Sequence, residues 1–126
     1  MTAAITAALR AHAAGLLPDE AGTELLIRHG VFLHRDDFTC FMSTGTSLSD
    51  GTTLLAWIDW HAALTALHHG QLPASSGERS ILALAASIAE GSPVSLRDTL
   101  PSLDTRNLKL LVTAIHHAAG HLPGHR

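Results

Sequence analysis

The sequence predicts an all-α protein, a compact bundle of about five to seven helices around a central tryptophan-bearing helix. Three observations carry that reading. Ala, Leu and Gly dominate, whereas Tyr is absent and Phe occurs only 3 times, a composition that favours helix over sheet. Apolar residues recur at spacings of three and four, the period of a helix face. Helix-stopping glycines return along the chain, and Gly15-Leu-Leu-Pro18, Gly70-Gln-Leu-Pro73 and Gly120-His-Leu-Pro123 share the pattern G-x-L-P. Nothing else aligns at those offsets, so the pattern is shared punctuation rather than an internal repeat. At 126 residues and 13.3 kDa the chain reads as one domain, 1–126.

The first helix is expected from about Thr2 to Ala14, with Ile5, Leu9, His12 and Leu16 on one face and Gly15 and Pro18 as the stop. Asp19 reads as the cap of a second helix, whose Leu25, Leu26 and Ile27 are apolar. Gly30 closes it after Arg28 and His29, basic residues suited to a helix C-terminus. Val31 to Leu33 reads as a short extended bridge. Asp36 begins a segment through Phe38, Phe41 and Met42 that fits either a brief helix or a strand, which leaves 31–43 open. Ser43 to Thr53 is dense in Gly, Ser, Thr and Asp and is expected to be a loop. Long loops often carry function, which makes Thr44, Thr46 and Asp50 candidate ligand-binding residues. A phosphate-binding loop is excluded there, because the segment has no lysine and the wrong glycine spacing.

Asp50 to Gly70, DGTTLLAWIDWHAALTALHHG, is expected to be the central helix, capped by Asp50 or Thr52 and ended by Gly70. Leu54, Trp57, Ile58, Leu64 and Leu67 lie on adjoining sides, and Ala56, Trp60 and Ala63 widen the apolar surface. Trp57, Trp60, Leu64 and Leu67 are therefore expected in the core. Ser75 to Glu78 forms an S-x-x-E capping box ahead of Ile81, Leu84, Ala85 and Ile88, and Gly91 with Pro93 ends that helix. Ser95 to Leu100 reads as a short helix stopped by Pro101. Asp104 caps the last long helix, where Leu108, Leu111, Val112, Ile115 and Ala119 line one side.

The blocks SSGERSILALAASIAEG, VSLRDTL and LDTRNLKLLVTAIHHAAGH, within residues 73 to 121, resemble uncharacterised small alanine-rich helical proteins of GC-rich actinobacteria. That resemblance brings no activity and no functional residue. It implies a bacterial, cytoplasmic setting.

Composition narrows the function classes. Eight Lys plus Arg against 11 Asp plus Glu give a net charge of -3, and Lys109 is the one lysine. A phosphate-binding surface needs a basic patch, and the linear sequence has none. Arg106, Asn107 and Lys109 are too few for a recognition helix. No basic region precedes the small apolar residues of the N-terminus, as a signal peptide would require, and no window approaches the roughly 18 apolar residues of a membrane span. Cys40, the lone cysteine, cannot form an internal disulfide, fits a reducing cytoplasm and reads as a small core hydrophobe.

The 10 histidines are the anomaly, since full protonation would move the charge from -3 to +7 (-3 + 10). His117 and His121 share a helix face at the spacing of helical zinc sites and are the metal candidates, although H-E-x-x-H is missing and no carboxylate stands at helical spacing beside them. His61, Thr65 and His68 form one polar strip and are ligand candidates. Asp59 and His61, at i and i+2, do not face each other. Asp36 and Asp37 read as caps rather than a catalytic couple. No enzyme signature and no cofactor follow. An interaction or regulatory module ranks first, a small-ligand or metal-binding protein second, and a DNA binder third. An apolar fraction of 46% with few charges implies self-association, most simply as a homodimer through the central or last helix. If His117 and His121 face that contact, association weakens below about pH 6.

Overall fold

The computed structural model describes residues 3–121. Helical residues make up 66% of it, so the expected helical character holds in the main, but a two-stranded antiparallel sheet stands among the helices and the protein is not strictly all-α. In chain order the elements are α1 (Ala3–Ala13), α2 (Leu17–His29), two 3-10 turns (Phe32–His34 and Asp36–Phe41), β1 (Met42–Thr46) and β2 (Leu54–Ile58). Then come α3 (Trp60–His68), α4 (Ser76–Glu90), α5 (Leu96–Thr99), a third 3-10 turn (Leu100–Ser102) and α6 (Thr105–Ala118).

The expected central helix from Asp50 to Gly70 is two elements. Leu54-Leu-Ala-Trp-Ile58 is strand β2, paired with β1 in the register Met42 to Ile58 through Thr46 to Leu54. Five apolar residues satisfy a period of two as readily as a helical period, and the hydrogen-bonding partner β1 decides between them. The helix begins only after Asp59, whose carboxylate accepts the Ala62 amide at 3.0 Å, so Asp59 caps α3 in place of Asp50 or Thr52. Of the four residues expected in the core, Trp60 and Leu67 are buried and Leu64 packs half-buried against it. Trp57 is 37% exposed, on the opposite face of β2 from buried Ala56 and Ile58, and its ring lies 5.1 Å from that of His12.

Other expectations shift by a few residues for local reasons. Pro18 falls within the first turn of α2 rather than ending α1's territory, and Leu16, not Asp19, occupies the cap position. Val31 to Leu33 is not an extended bridge but leads into a 3-10 turn that buries Phe32 and Leu33. The open segment is 3-10 turn first and strand second, and the polar loop shortens to 47–53 because Met42–Thr46 pairs with β2. Pro101 does not stop α5 but lies inside the following 3-10 turn. Cys40 is exposed, so it is not a core hydrophobe.

The element on which the others pack is α2, which contacts α1, α4 and α6. Gly22 makes the α2 to α4 contact possible: a Cβ there would stand 2.6 Å from Ala89 Cβ and 2.7 Å from the Ala85 carbonyl. Phe32 and Phe38, with ring centroids 5.5 Å apart, are fully buried beside it. The predicted boundaries of α4 are met: Ser75 and Glu78 form both bonds of the capping box, and Gly91 adopts φ 82°. Asp104 caps α6 by accepting the Asn107 amide at 2.7 Å. The expected inner side of α6 is wrong in part. Asn107, Leu111 and Ala114 face inward, whereas Leu108, Val112 and Ile115 are 47%, 44% and 52% exposed. Among the described residues no helix is long and apolar enough to cross a membrane.

Candidate functional site

Three helices enclose a cleft of about 440 Å³. α1 contributes Arg10, α2 contributes Glu20, Glu24 and Arg28 at successive turns of one face, and α6 contributes Leu110, Thr113 and His117. The spacing of four along α2 places two carboxylates and a guanidinium in a row, and the packing of α1 and α6 brings Arg10 and His117 to them. Arg10 reaches both oxygens of Glu24, through Nε and through Nη2 at 3.3 Å, and Arg28 Nε donates to Glu24 Oε2 at 3.2 Å. Burial raises the proton affinity of Glu24, but the two guanidinium groups outweigh it and hold the carboxyl below its ordinary range.

Beside this network His117 Nε2 lies 2.9 Å from Glu20 Oε1, and Glu20 Oε2 accepts the Gly15 amide at 2.7 Å. The histidine bond, followed by the amide, lowers the Glu20 pKa. An ionised carboxylate only accepts, so the shared proton sits on Nε2, and a neutral His117 then has a bare Nδ1. Both carboxylates are thus committed to partners, while Nη1 of Arg10 and both terminal nitrogens of Arg28 have no hydrogen-bond partner among the described residues. Leu25 and Ala114, both buried, form its apolar floor with Leu110.

The residues singled out in the sequence lie elsewhere, with one exception. His117 is in the cleft, but His121 is exposed beyond the end of α6, and among the described residues no group of three or more His, Cys, Asp or Glu side chains is placed to hold a metal ion. His61, Thr65 and His68 do fall on one side of α3, where all three are exposed. Thr44 and Thr46 are exposed on β1. Asp50 serves its own loop: its carboxylate accepts the amides of Thr52 and Thr53, each at 2.9 Å, and the Thr53 hydroxyl. Those bonds, the Thr53 hydroxyl first, hold its pKa down to about 2. Sequence reasoning missed Arg10, Glu20, Glu24 and Arg28. The one local signal was the i, i+4, i+8 run of Glu20, Glu24 and Arg28; the partners are 14 and 97 positions away in the chain.

The opposite flank of α6 carries a second feature. Leu108, Val112, Ile115 and Ala119, at steps of four, three and four, form an exposed row without a polar interruption. Comparison of the chain with protein-family models, with curated proteins and with solved structures found no match. The fold and surfaces themselves define a small, mainly helical protein with a charged cleft between α1, α2 and α6 and an apolar flank on α6.

Proposed function

We propose that this protein is a small interaction module that pairs with a second copy of itself through the outer flank of α6. The observation that carries the reading is the row Leu108, Val112 and Ile115, each 44% to 52% exposed on one side of one helix. Single exposed leucines are ordinary on protein surfaces; a continuous row on an otherwise well-packed helix is a contact surface. The row is self-complementary. Antiparallel pairing about Val112 sets Leu108 of one copy against Ile115 of the other and opposes the two helix dipoles. Its rim suits a like partner, because the antiparallel pairing brings Lys109 near His116 of the other copy rather than against a second lysine.

One helix flank buries less than the roughly 800 Å² per partner of a standard interface, so the dimer is expected to be reversible, with a dissociation constant of about micromolar or weaker. Sedimentation equilibrium over a wide concentration range tests this. The native protein should rise above 13.3 kDa with concentration. Val112→Glu with Ile115→Glu should remain monomeric with an unchanged melting temperature, since neither side chain is in the core. A native mass of 13.3 kDa at every concentration rejects the reading.

A further inference from the structure

The cleft between α1, α2 and α6 points to a ligand. We propose that it binds a small organic anion, with a carboxylate or phosphate head on Arg28 and Arg10 and an apolar body on the floor of Leu25, Leu110 and Ala114. It is independent of the α6 pairing, because α6 turns Leu110, Thr113 and His117 to the cleft and Leu108, Val112 and Ile115 to its other flank.

Two guanidinium groups, Arg10 and Arg28, balance the two carboxylates Glu20 and Glu24 across the cleft, so what an anion would meet is a local positive side. Both arginines share the one carboxylate of Glu24, while Glu20 is engaged by His117 and the Gly15 amide. Arg28 uses only Nε toward the described residues, and its two terminal nitrogens form the parallel fork that fits a carboxylate or phosphate with two hydrogen bonds. Arg10 has Nη1 in reserve in the same way. The shape and floor complete the match, as about 440 Å³ lies in the range of small-molecule clefts and exceeds what a bare inorganic ion fills. Thr113 and His117, fixed by Glu20, add a hydroxyl and an imidazole on one wall, able to accept from a protonated head group.

In this arrangement Glu24 is an internal competitor that the ligand displaces in part from the two arginines. That leads to an unusual expectation. Removing its charge should tighten ligand binding, whereas a purely structural ion-pair network would only lose stability. The test is an amide chemical-shift titration of the full chain with butyrate and, separately, with inorganic phosphate, each at constant ionic strength set by chloride. Saturable shifts at Arg28, Thr113 and His117 are expected, with the butyrate arm or the phosphate arm stronger according to the head group preferred. Arg28→Gln should weaken binding about tenfold, the value of one lost charge-assisted bond pair, and Glu24→Gln should strengthen it several-fold. Melting curves recorded in parallel keep folding separate from binding, since Arg28 is exposed and Arg28→Gln should melt as the native protein does. Shifts that chloride alone reproduces, or affinity unchanged in a normally folded Arg28→Gln protein, overturn the proposal.

Discussion

Trp57 and Trp60 are three positions apart and meet opposite environments, and what separates them is Asp59. Its carboxylate takes the Ala62 amide and starts a helix, so the chain changes its side-chain period from two to about 3.6 between the two indoles. Trp60 enters the core with Ala63 and Leu67, whereas Trp57 lies over Gly45 of the neighbouring strand, against which a Cβ would stand 3.4 Å from its ring, and beside His12. Trp60→Ala should therefore cost about 3 to 5 kcal/mol. Trp57→Ala removes a part-exposed ring contact and should cost about 1 kcal/mol. Urea unfolding of the two variants separates them, and equal losses would put both rings in the same environment.

At the scale of elements, the decisive contact is α2 on α4. Helices approach this closely only where one of them lacks a side chain at the crossing, and Gly22 is that position, with a Cβ there falling 2.7 Å from a backbone carbonyl that cannot rotate away. Gly22 is in the interior of α2, where alanine would raise helix propensity by about 1 kcal/mol in an isolated helix. The tertiary clash reverses that sign. Gly22→Ala is expected to destabilise the protein by about 1 to 3 kcal/mol, through forced separation of the two helices. A melting temperature that rises would mean that the α2 to α4 spacing yields more easily than the geometry implies. The same packing carries Arg10, Glu24 and His117 toward one another, so the cleft depends on it.

At the scale of the whole molecule, α2, α4 and α6 meet at His29. This histidine is 5% exposed, its ring is 6.2 Å from that of Phe32, and Nδ1 is buried without a hydrogen-bond partner among the described residues. Burial lowers its pKa, Arg106 on α6 lowers it further, and Glu78 on α4 with Asp104 before α6 oppose them without reversing the direction. The neutral ring is thus the folded form. Above the ordinary histidine value of 6.5 it costs nothing, because the unfolded chain is neutral too. As the pH falls below 6.5 the unfolded state takes up the proton first, and stability declines by about 1.4 kcal/mol for each tenfold difference in proton affinity between the two states. Glu20, Glu24 and Glu78 are held below 4.5, so their stabilising contributions persist through this window and fail only in stronger acid. Melting curves at pH 7.5 and 5.5 should show a loss in the native protein that His29→Phe largely abolishes. An equal loss in both would assign the acid sensitivity to other groups.

What the sequence by itself determined is what depends on residues within four positions of one another. The Ser75 to Glu78 capping box, the Asp104 cap, and the left-handed glycines Gly30 and Gly91 stand where local pattern placed them, because a cap is satisfied by its own first turn. Predominant helicity follows for the same reason. Tertiary structure alone decided β2, because Leu54–Ile58 fits two periods and only a partner strand supplies its backbone hydrogen bonds. It also decided which side of α6 is inner: Leu108, Val112 and Ile115 share helical spacing with Leu111, but α2 and α4 cover Leu111 and Ala114 and leave the row outside. The cleft belongs to the same category. Its ion pairs join positions as far apart as Glu20 and His117, whose proximity is a property of how three helices pack rather than of any spacing along the chain.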